Sequence, residues 1–508
     1  MNMHDFPHVV AKYRKETIAR YAGNHYLEAL PDLASDLELA LALKYLPAFD
    51  PAERQLPAAV RIQMLDLLER LVVPLPRLIR LARATLKMRR TGYGPRGPYT
   101  KSDQAIRAAL YEQQQSGSFV SASRSDLAAQ HSMALIGASG CGKSYGLRTV
   151  AALLPEVIYH PDLGIWQIPS ILVEMPYDGE SLHTLASEIF QELDRILPDA
   201  NYEELYMNRK GLNAQQRLAI ALKRAYDHGV GMIFVDEVQN QRGHDTEGVR
   251  NKRKNSATGG PKLEIPLTKL LISASNTSHM PICFSGTLEM TAMLGPRFSK
   301  SRRHAGRGSS LWLPYESSGK LEQPDEFELM LKAIWRYQWI QTPVELTDAW
   351  VKLFYELTQG IPDIIIKLFE SSQESAIANT SETLTEALVR AVFKAEFFAT
   401  EFGIVSLRDR KKNLHDLVPD LYQPDPVEAA EKAEEQFPPP MPARRARRPA
   451  DALQQAVAVV RKAQRKPARP SPTPAEVSDE VAQGADLRGG SFELGDGSGE
   501  KPTESATS

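Results

Sequence analysis

An α/β protein with a parallel sheet and helices on both faces is the fold class this sequence predicts, and three observations predict it. The apolar run Met133-Ala134-Leu135-Ile136 leads into GASGCGKS at 137–144, and a stretch rich in Leu, Val and Ala follows, Leu147 to Leu154. A second apolar run, Gly231-Met232-Ile233-Phe234-Val235, ends in Asp236-Glu237. Around both, residues 102–318 alternate strand-like and helix-like segments, the pattern of parallel strands joined by covering helices.

The first element is a phosphate loop. Gly137-Ala138-Ser139-Gly140-Cys141-Gly142-Lys143-Ser144 fits G-x-x-x-x-G-K-[ST] without a mismatch. Polyphosphate binding needs many backbone N–H groups aimed at one point. Gly137, Gly140 and Gly142 let the chain form such a nest at a helix N-terminus, where the dipole also favours negative charge. Lys143 is placed to reach the β- and γ-phosphates and the Ser144 hydroxyl to bind Mg²⁺, with Tyr145 next in line. ATP with Mg²⁺ is the expected ligand.

The second element ends in paired carboxylates. Asp236, at the end of a neighbouring strand, is expected to hold Mg²⁺ with Ser144. Glu237 is placed to polarise a water for attack on the γ-phosphate, a general-base role. The pair argues for hydrolysis rather than binding alone.

Strands are predicted at 133–137, 170–175, 231–235 and 281–285, with helices at 143–154, 181–195, 214–228 and 262–275. The polar segment from Asn240 to Gly260, with Arg250-Asn251-Lys252-Arg253-Lys254, reads as a surface loop beside the site. In the AAA+ architecture a polar residue ending the strand Pro281 to Thr287 sits between Asp236 and the γ-phosphate and orients the water. Thr287 is the first choice and Ser285 the second, although Thr287 also reads as a helix N-cap before Leu288-Glu289-Met290. Further on, Arg302 and Arg303 lie in a cluster with Arg297, Lys300 and Arg307. They read either as an arginine finger for a neighbouring subunit's ATP or as a basic, DNA-contacting surface.

Flanking regions divide the chain into four parts. Residues 1–100 read as a helical N-terminal partner-binding region, 101–318 as the ATPase domain, 319–405 as a helical lid and 406–508 as a largely disordered charged tail. Eight basic residues and no acid lie between Arg77 and Lys101, read as a contact for phosphate or an acidic partner, or as a solvated helix face. In the tail, nine basic residues between Arg444 and Arg469 give way to eight acids after Ser471, so little apolar surface is available to build a core. Only Ala450 to Ala463 reads as a segment that becomes helical on a partner.

At 508 residues the chain is too long for one compact core, and its net charge of −2 makes charge a local matter. Two cysteines, Cys141 and Cys283, exclude a disulfide framework and fit a reducing cytosol. Cys141 lies inside the phosphate loop, where thiol reagents are expected to interfere. An 18-residue apolar run and a signal-peptide pattern are both lacking, so a cytoplasmic protein without a membrane partner is expected.

An ordered set of further segments carries a family resemblance. Tyr13-Arg14, Tyr21 and Asn24 to Pro31 open it, followed by Gly92-Tyr93-Gly94-Pro95-Arg96-Gly97-Pro98. Then come Val157-Ile158-Tyr159-His160, Val235 to Gln239, Gly286-Thr287, Arg302-Arg303 and Gly360 to Phe369. Over roughly residues 10–400 the chain resembles TnsC-type AAA+ regulators of DNA transposition, relatives of TniB and of initiator-like ATPases.

The resemblance implies an ATPase that binds double-stranded target DNA in the ATP state as a homo-oligomeric ring or filament. It implies a target selector of the TnsD/TniQ type and a TnsB-like transposase, with or without a TnsA-like nuclease, and release of the complex by hydrolysis. A bacterial, nucleoid-associated location goes with this. For DNA contact it points to the region holding Ser181, His183, Arg209 and Lys210. One departure stands out: the lid arginine of G-x-x-R is replaced by Asp363, with Lys367 one turn on as the substitute. The tail is the part left for transposase contact. Two other readings compete, a helicase loader or initiator-like ATPase and a non-hydrolysing ATP-dependent scaffold. A transporter ATPase is disfavoured because an L-S-G-G-Q-type signature is lacking.

Overall fold

The computed structural model describes residues 8–31, 34–119, 132–177, 181–242, 267–290, 309–409 and 420–421. All of them belong to one compact unit, Met1–Asp425. Among them no helix is long and apolar enough to cross a membrane.

The chain begins with a two-residue strand, β1 (Val9–Val10), and short helices α1 (His25–Glu28), α2 (Asp36–Leu43) and α3 (Ala58–Met64). A capping box starts α2: Ser35 accepts from the Glu38 N–H while the Glu38 carboxylate accepts from the Ser35 N–H. Pro74 and Pro76 follow, and Pro76 is the first residue of α4 (Pro76–Tyr93). Helix α5 (Lys101–Ser116) follows.

The ATPase region adds β2 (Ser132–Gly137), α6 (Lys143–Ala151), β3 (Ile158–His160), β4 (Ile165–Gln167) and β5 (Ile171–Glu174). It continues with α7 (Leu182–Ile196), α8 (Tyr202–Met207), α9 (Ala214–Asp227), β6 (Ile233–Asp236), α10 (Leu267–Ser278), β7 (Ile282–Gly286) and β8 (Ser309–Trp312). Five of these strands form one parallel sheet in the order β5-β6-β7-β2-β8. Its register places Glu174 opposite Asp236 and Gly137 opposite Trp312, so the functional strand ends share one edge. Ile233, Phe234 and Val235 are fully buried, as a central parallel strand requires. The predicted α/β class and all four predicted strands are present. β6 does not adjoin the phosphate-loop strand, however; β7 lies between them.

A second, three-stranded sheet β1-β3-β4 was not legible, because its strands are two or three residues long. His160 anchors it. Its Nδ1 meets the Tyr13 hydroxyl at 2.8 Å and its Nε2 meets Gln167 Oε1 at 2.9 Å, while the Gln167 amide donates to the Tyr26 carbonyl. Segments far apart in sequence thus close on one buried imidazole.

The basic run divides between solvent and core. Arg89, Arg90 and Arg96 are buried. The end of α4 packs under the starts of the central strands: Arg89 Nε donates to the Pro169 carbonyl at 2.8 Å and the Tyr93 hydroxyl to Gly229 O at 2.6 Å. Arg90 forms a buried ion pair with Glu16, and Arg96 lies over the rings of Tyr93 and Tyr226. Only Arg80, Arg83, Lys87 and Lys101 of the eight are exposed.

Among the described residues five helices follow β8: α11 (Glu326–Ile334), α12 (Asp348–Thr358), α13 (Pro362–Ala378), α14 (Glu386–Glu396) and α15 (Phe398–Arg408). The boundary drawn at 405 therefore falls inside α15. The described residues up to 100 pack into the rest of the unit: Leu81 and Ala82 join the core of the sheet, Leu65 and Leu68 that of these last helices, and Tyr21, Tyr26, Leu27, Leu30 and Tyr93 form a third cluster with Leu154 and Ile158.

Candidate functional site: a nucleotide cavity at the strand ends

Backbone conformation makes the phosphate loop. Gly140 and Gly142 have φ of 72° and 79°, the left-handed region where a side chain is strained. Gly137 is required for space instead, since a Cβ there would lie 2.4 Å from the Trp312 carbonyl oxygen. That same carbonyl accepts the Ala138 N–H at 3.0 Å, so edge strand β8 holds the loop in place. Lys143 folds back on the loop, donating to Gly137 O at 3.1 Å and Ala138 O at 3.0 Å. Burial pulls its ammonium below the usual range, against the opposing pull of Cys141, Asp236, Glu237 and Asp420. Cys141 is also buried, and burial pushes its thiol up to about 11. A protonated, covered sulfur is a poor target for thiol reagents.

Around this loop lies a cavity of about 560 Å³. Ser139, Gly140, Cys141, Gly142, Lys143, Ser144 and Tyr145 line it, with Glu237, Thr287 and Lys367. The structure therefore brings the predicted phosphate, base, water-orienting and lid residues to one place. Asp236 sits behind them, 4% exposed, its Oδ1 accepting the Glu237 N–H at 3.0 Å. Glu237 itself has φ of 54°, a left-handed conformation costly for a residue with a side chain and concentrated at functional sites. Thr287 Oγ1 is buried with no hydrogen-bond partner among the described residues, as is Ser285 Oγ. Thr287 faces the cavity; Ser285, inside β7, is not among the residues lining it.

The donor set fits Mg²⁺ carried by a nucleotide. Among the described residues no group of three or more His, Cys, Asp or Glu side chains forms a metal site. One hydroxyl, Ser144, and one carboxylate, Asp236, suit a hard cation that takes its remaining oxygens from phosphate and water. These two residues would hold the ion, which would neutralise charge on the phosphates.

Several lining residues were missed in the sequence. Val72, Val73 and Leu75 form an apolar wall from the N-terminal region, facing Met330 and Ile366 of the helical segment. The Pro74-x-Pro76 break was the available signal. Arg77 Nη1 donates to Leu313 O and its Nε to Glu326 at 2.7 Å, with its guanidinium over the Tyr315 ring. Gln239 lines the cavity two residues after Glu237. The Ser139 N–H donates to the Asp420 carbonyl at 3.0 Å, and Leu421 beside it packs against both main hydrophobic clusters. Lys367 pairs with Asp363, whose N–H donates to Gly140 O, so α13 touches the loop directly.

The four DNA candidates are not brought together. Ser181 is the N-cap of α7, its hydroxyl accepting the Thr184 N–H, and His183 is exposed beside it. Arg209 lines a surface groove with Trp166 and Leu197, the C-cap at the other end of α7, about 24 Å from Ser181 at 1.5 Å per residue. Lys210 is exposed next to it. Arg302 and Arg303 lie outside the described residues, as do Arg250 to Lys254 and the tail beyond Leu421.

Parallel sheet, glycine nest and paired strand-end carboxylates define an AAA-type P-loop ATPase domain. The comparisons place that domain in the chain: the family model described as AAA domain matches residues 127–294. A search of curated proteins finds no match. Among solved structures, the chain is similar to the Aeropyrum pernix ORC2 protein in ADPNP–ADP complexes, at 13% identity and a TM-score of 0.33, covering 59% of this chain and 69% of that one. The Thermotoga maritima RuvB Holliday junction branch migration motor gives 14% identity and 0.30, over 67% and 94%. Drosophila ORC bound to DNA gives 13% and 0.30, over 85% and 86%.

Proposed function

We propose that this protein is an ATP-hydrolysing regulator of DNA transposition of the TnsC type. It assembles on target DNA in the ATP state, couples a target selector to a transposase, and leaves when ATP is hydrolysed. The observation that carries the catalytic half is the convergence of Lys143, Ser144, Glu237, Thr287 and Lys367 on one cavity from four separate elements. Glycine-nest N–H groups and Lys143 bind the phosphates, and the apolar wall of Val72, Val73 and Leu75 takes the base. Glu237 accepts a proton from the attacking water, which Thr287 orients. Lys367 reaches toward the γ-phosphate in place of a lid arginine, and Arg302 or Arg303 completes a neighbouring subunit's site.

Support for the transposition half is the ordered set of segments resembling that family. Two of them, around Tyr13 and Tyr26, pack on His160 of a third. DNA contact is to phosphates, with Ser181, His183, Arg209 and Lys210 as its residues. The partners are double-stranded DNA, a TnsD/TniQ-like selector, a TnsB-like transposase with or without a TnsA-like nuclease, and further copies of this chain.

Electron microscopy of the protein with duplex DNA tests the reading. Rings or filaments are expected with ATP or a slowly hydrolysed analogue, and not with ADP or in Lys143→Ala. A nucleotide-binding monomer indifferent to DNA overturns it.

A further inference from the structure

Gln239 touches both groups that face the attacking water, and the mechanism above leaves it without a task. Its Nε2 donates to a Glu237 carboxylate oxygen, and its Oε1 accepts the Thr287 N–H at 3.0 Å. Glu237 follows β6 and Thr287 follows β7, so one planar amide spans the two strand ends that must cooperate. The neighbouring backbone makes room for it: a Cβ on Gly286 would lie 2.7 Å from Gln239 Oε1.

The chemistry of this link is specific. A neutral N–H donor fixes one oxygen of the Glu237 carboxylate and leaves the other for a water. A carboxylate at 239 would repel Glu237, and an apolar side chain would leave it to rotate. We propose that Gln239 is a positioning residue for ATP hydrolysis: it sets the Glu237 carboxylate relative to the Thr287 end of β7. This inference rests on the reading of Glu237 as the general base.

The test uses the full chain with duplex DNA. Gln239→Met keeps the volume and loses both hydrogen bonds. Gly286→Ala displaces the amide without altering Gln239. Both are expected to lower kcat roughly 100-fold, the scale of a misplaced reacting group. Both should leave KM, affinity for a slowly hydrolysed ATP analogue and melting temperature unchanged, the mark of an interaction that matters in the transition state alone. Affinity for ADP with aluminium fluoride should fall with kcat. In a Glu237→Gln background, Gln239→Met should cause no further loss of that affinity.

Native turnover in Gln239→Met overturns the inference. So does a fall in analogue affinity and melting temperature matching the fall in kcat, and so does a full effect persisting without Glu237. Glu237→Gln hydrolysing at the native rate, or a native chain without turnover, instead overturns the reading of Glu237, and the inference falls with it.

Discussion

Gly146 lies flat against the indole of Trp312: a Cβ at 146 would come within 2.5 Å of the ring. The helix that follows the phosphate loop is thereby seated on the last strand of the sheet. Gly146→Ala gains up to about 1 kcal/mol of helix propensity but overpacks a closed contact, at about 1–3 kcal/mol. Net destabilisation with weakened nucleotide binding is expected. In a Trp312→Leu background the same change should become neutral or stabilising, as chemical denaturation with a nucleotide-binding assay will show.

Thr287 and Ser285 both carry buried hydroxyls without partners among the described residues, yet of the two only Thr287 lines the cavity. Thr287→Ala is expected to lower kcat by roughly 100-fold with little change in KM. Ser285→Ala should leave kcat near native. Steady-state ATPase assays with DNA separate the two.

Protonation of His228 should unfold the protein from the acid side. Burial is the main cause that lowers it to about 4, with Arg224 and Arg107 adding and Asp227 opposing. The Tyr202 hydroxyl bonds its Nε2 at 2.6 Å. An imidazole neutral when folded favours the native state fully above its unfolded value of about 6.5. That contribution is lost as pH falls from there toward 4. Melting temperature should drop across this window, and His228→Gln should flatten that part of the curve.

Glu16 and Arg90 test the buried charge under the sheet. Burial raises the Glu16 carboxyl, but the Ile18 N–H and Arg90 together outweigh it and hold it below its usual range. The stability it adds is present above about pH 4.3 and disappears as pH falls through the lowered folded value. Breaking the pair with Arg90→Met leaves a buried carboxylate and should cost about 3–5 kcal/mol at neutral pH. Urea unfolding at pH 7 measures it.

Cys141 should resist alkylation although it lies in the phosphate loop. Burial holds its thiol at about 11, so iodoacetamide at pH 8 should modify the native chain slowly and the urea-unfolded chain readily. Mass spectrometry of the tryptic peptide reads both rates.

The phosphate-loop motif, the strand-end pair Asp236-Glu237 and the α/β class were legible in the sequence because each depends on local chemistry. Glycines at fixed spacing, a lysine and hydroxyl after them, and an apolar run ending in acids need only a strand, a turn and a helix to be recognised. The long amphipathic helices and buried strands were legible for the same reason.

Tertiary structure decided everything that depends on distant partners. Placing β7 between β6 and β2 is a matter of hydrogen-bonding order, which periodicity does not encode. The three-stranded sheet rests on strands too short to show a period, held by His160 between Tyr13 and Gln167. Arginines that look like a phosphate-binding or solvated run are buried because Glu16, the Pro169 carbonyl and two tyrosine rings come from elsewhere to meet them. A count of charges carries no information about burial. The apolar wall of Val72, Val73 and Leu75 became part of the cavity around the phosphate loop only when the N-terminal region folded across the sheet and the helices after it.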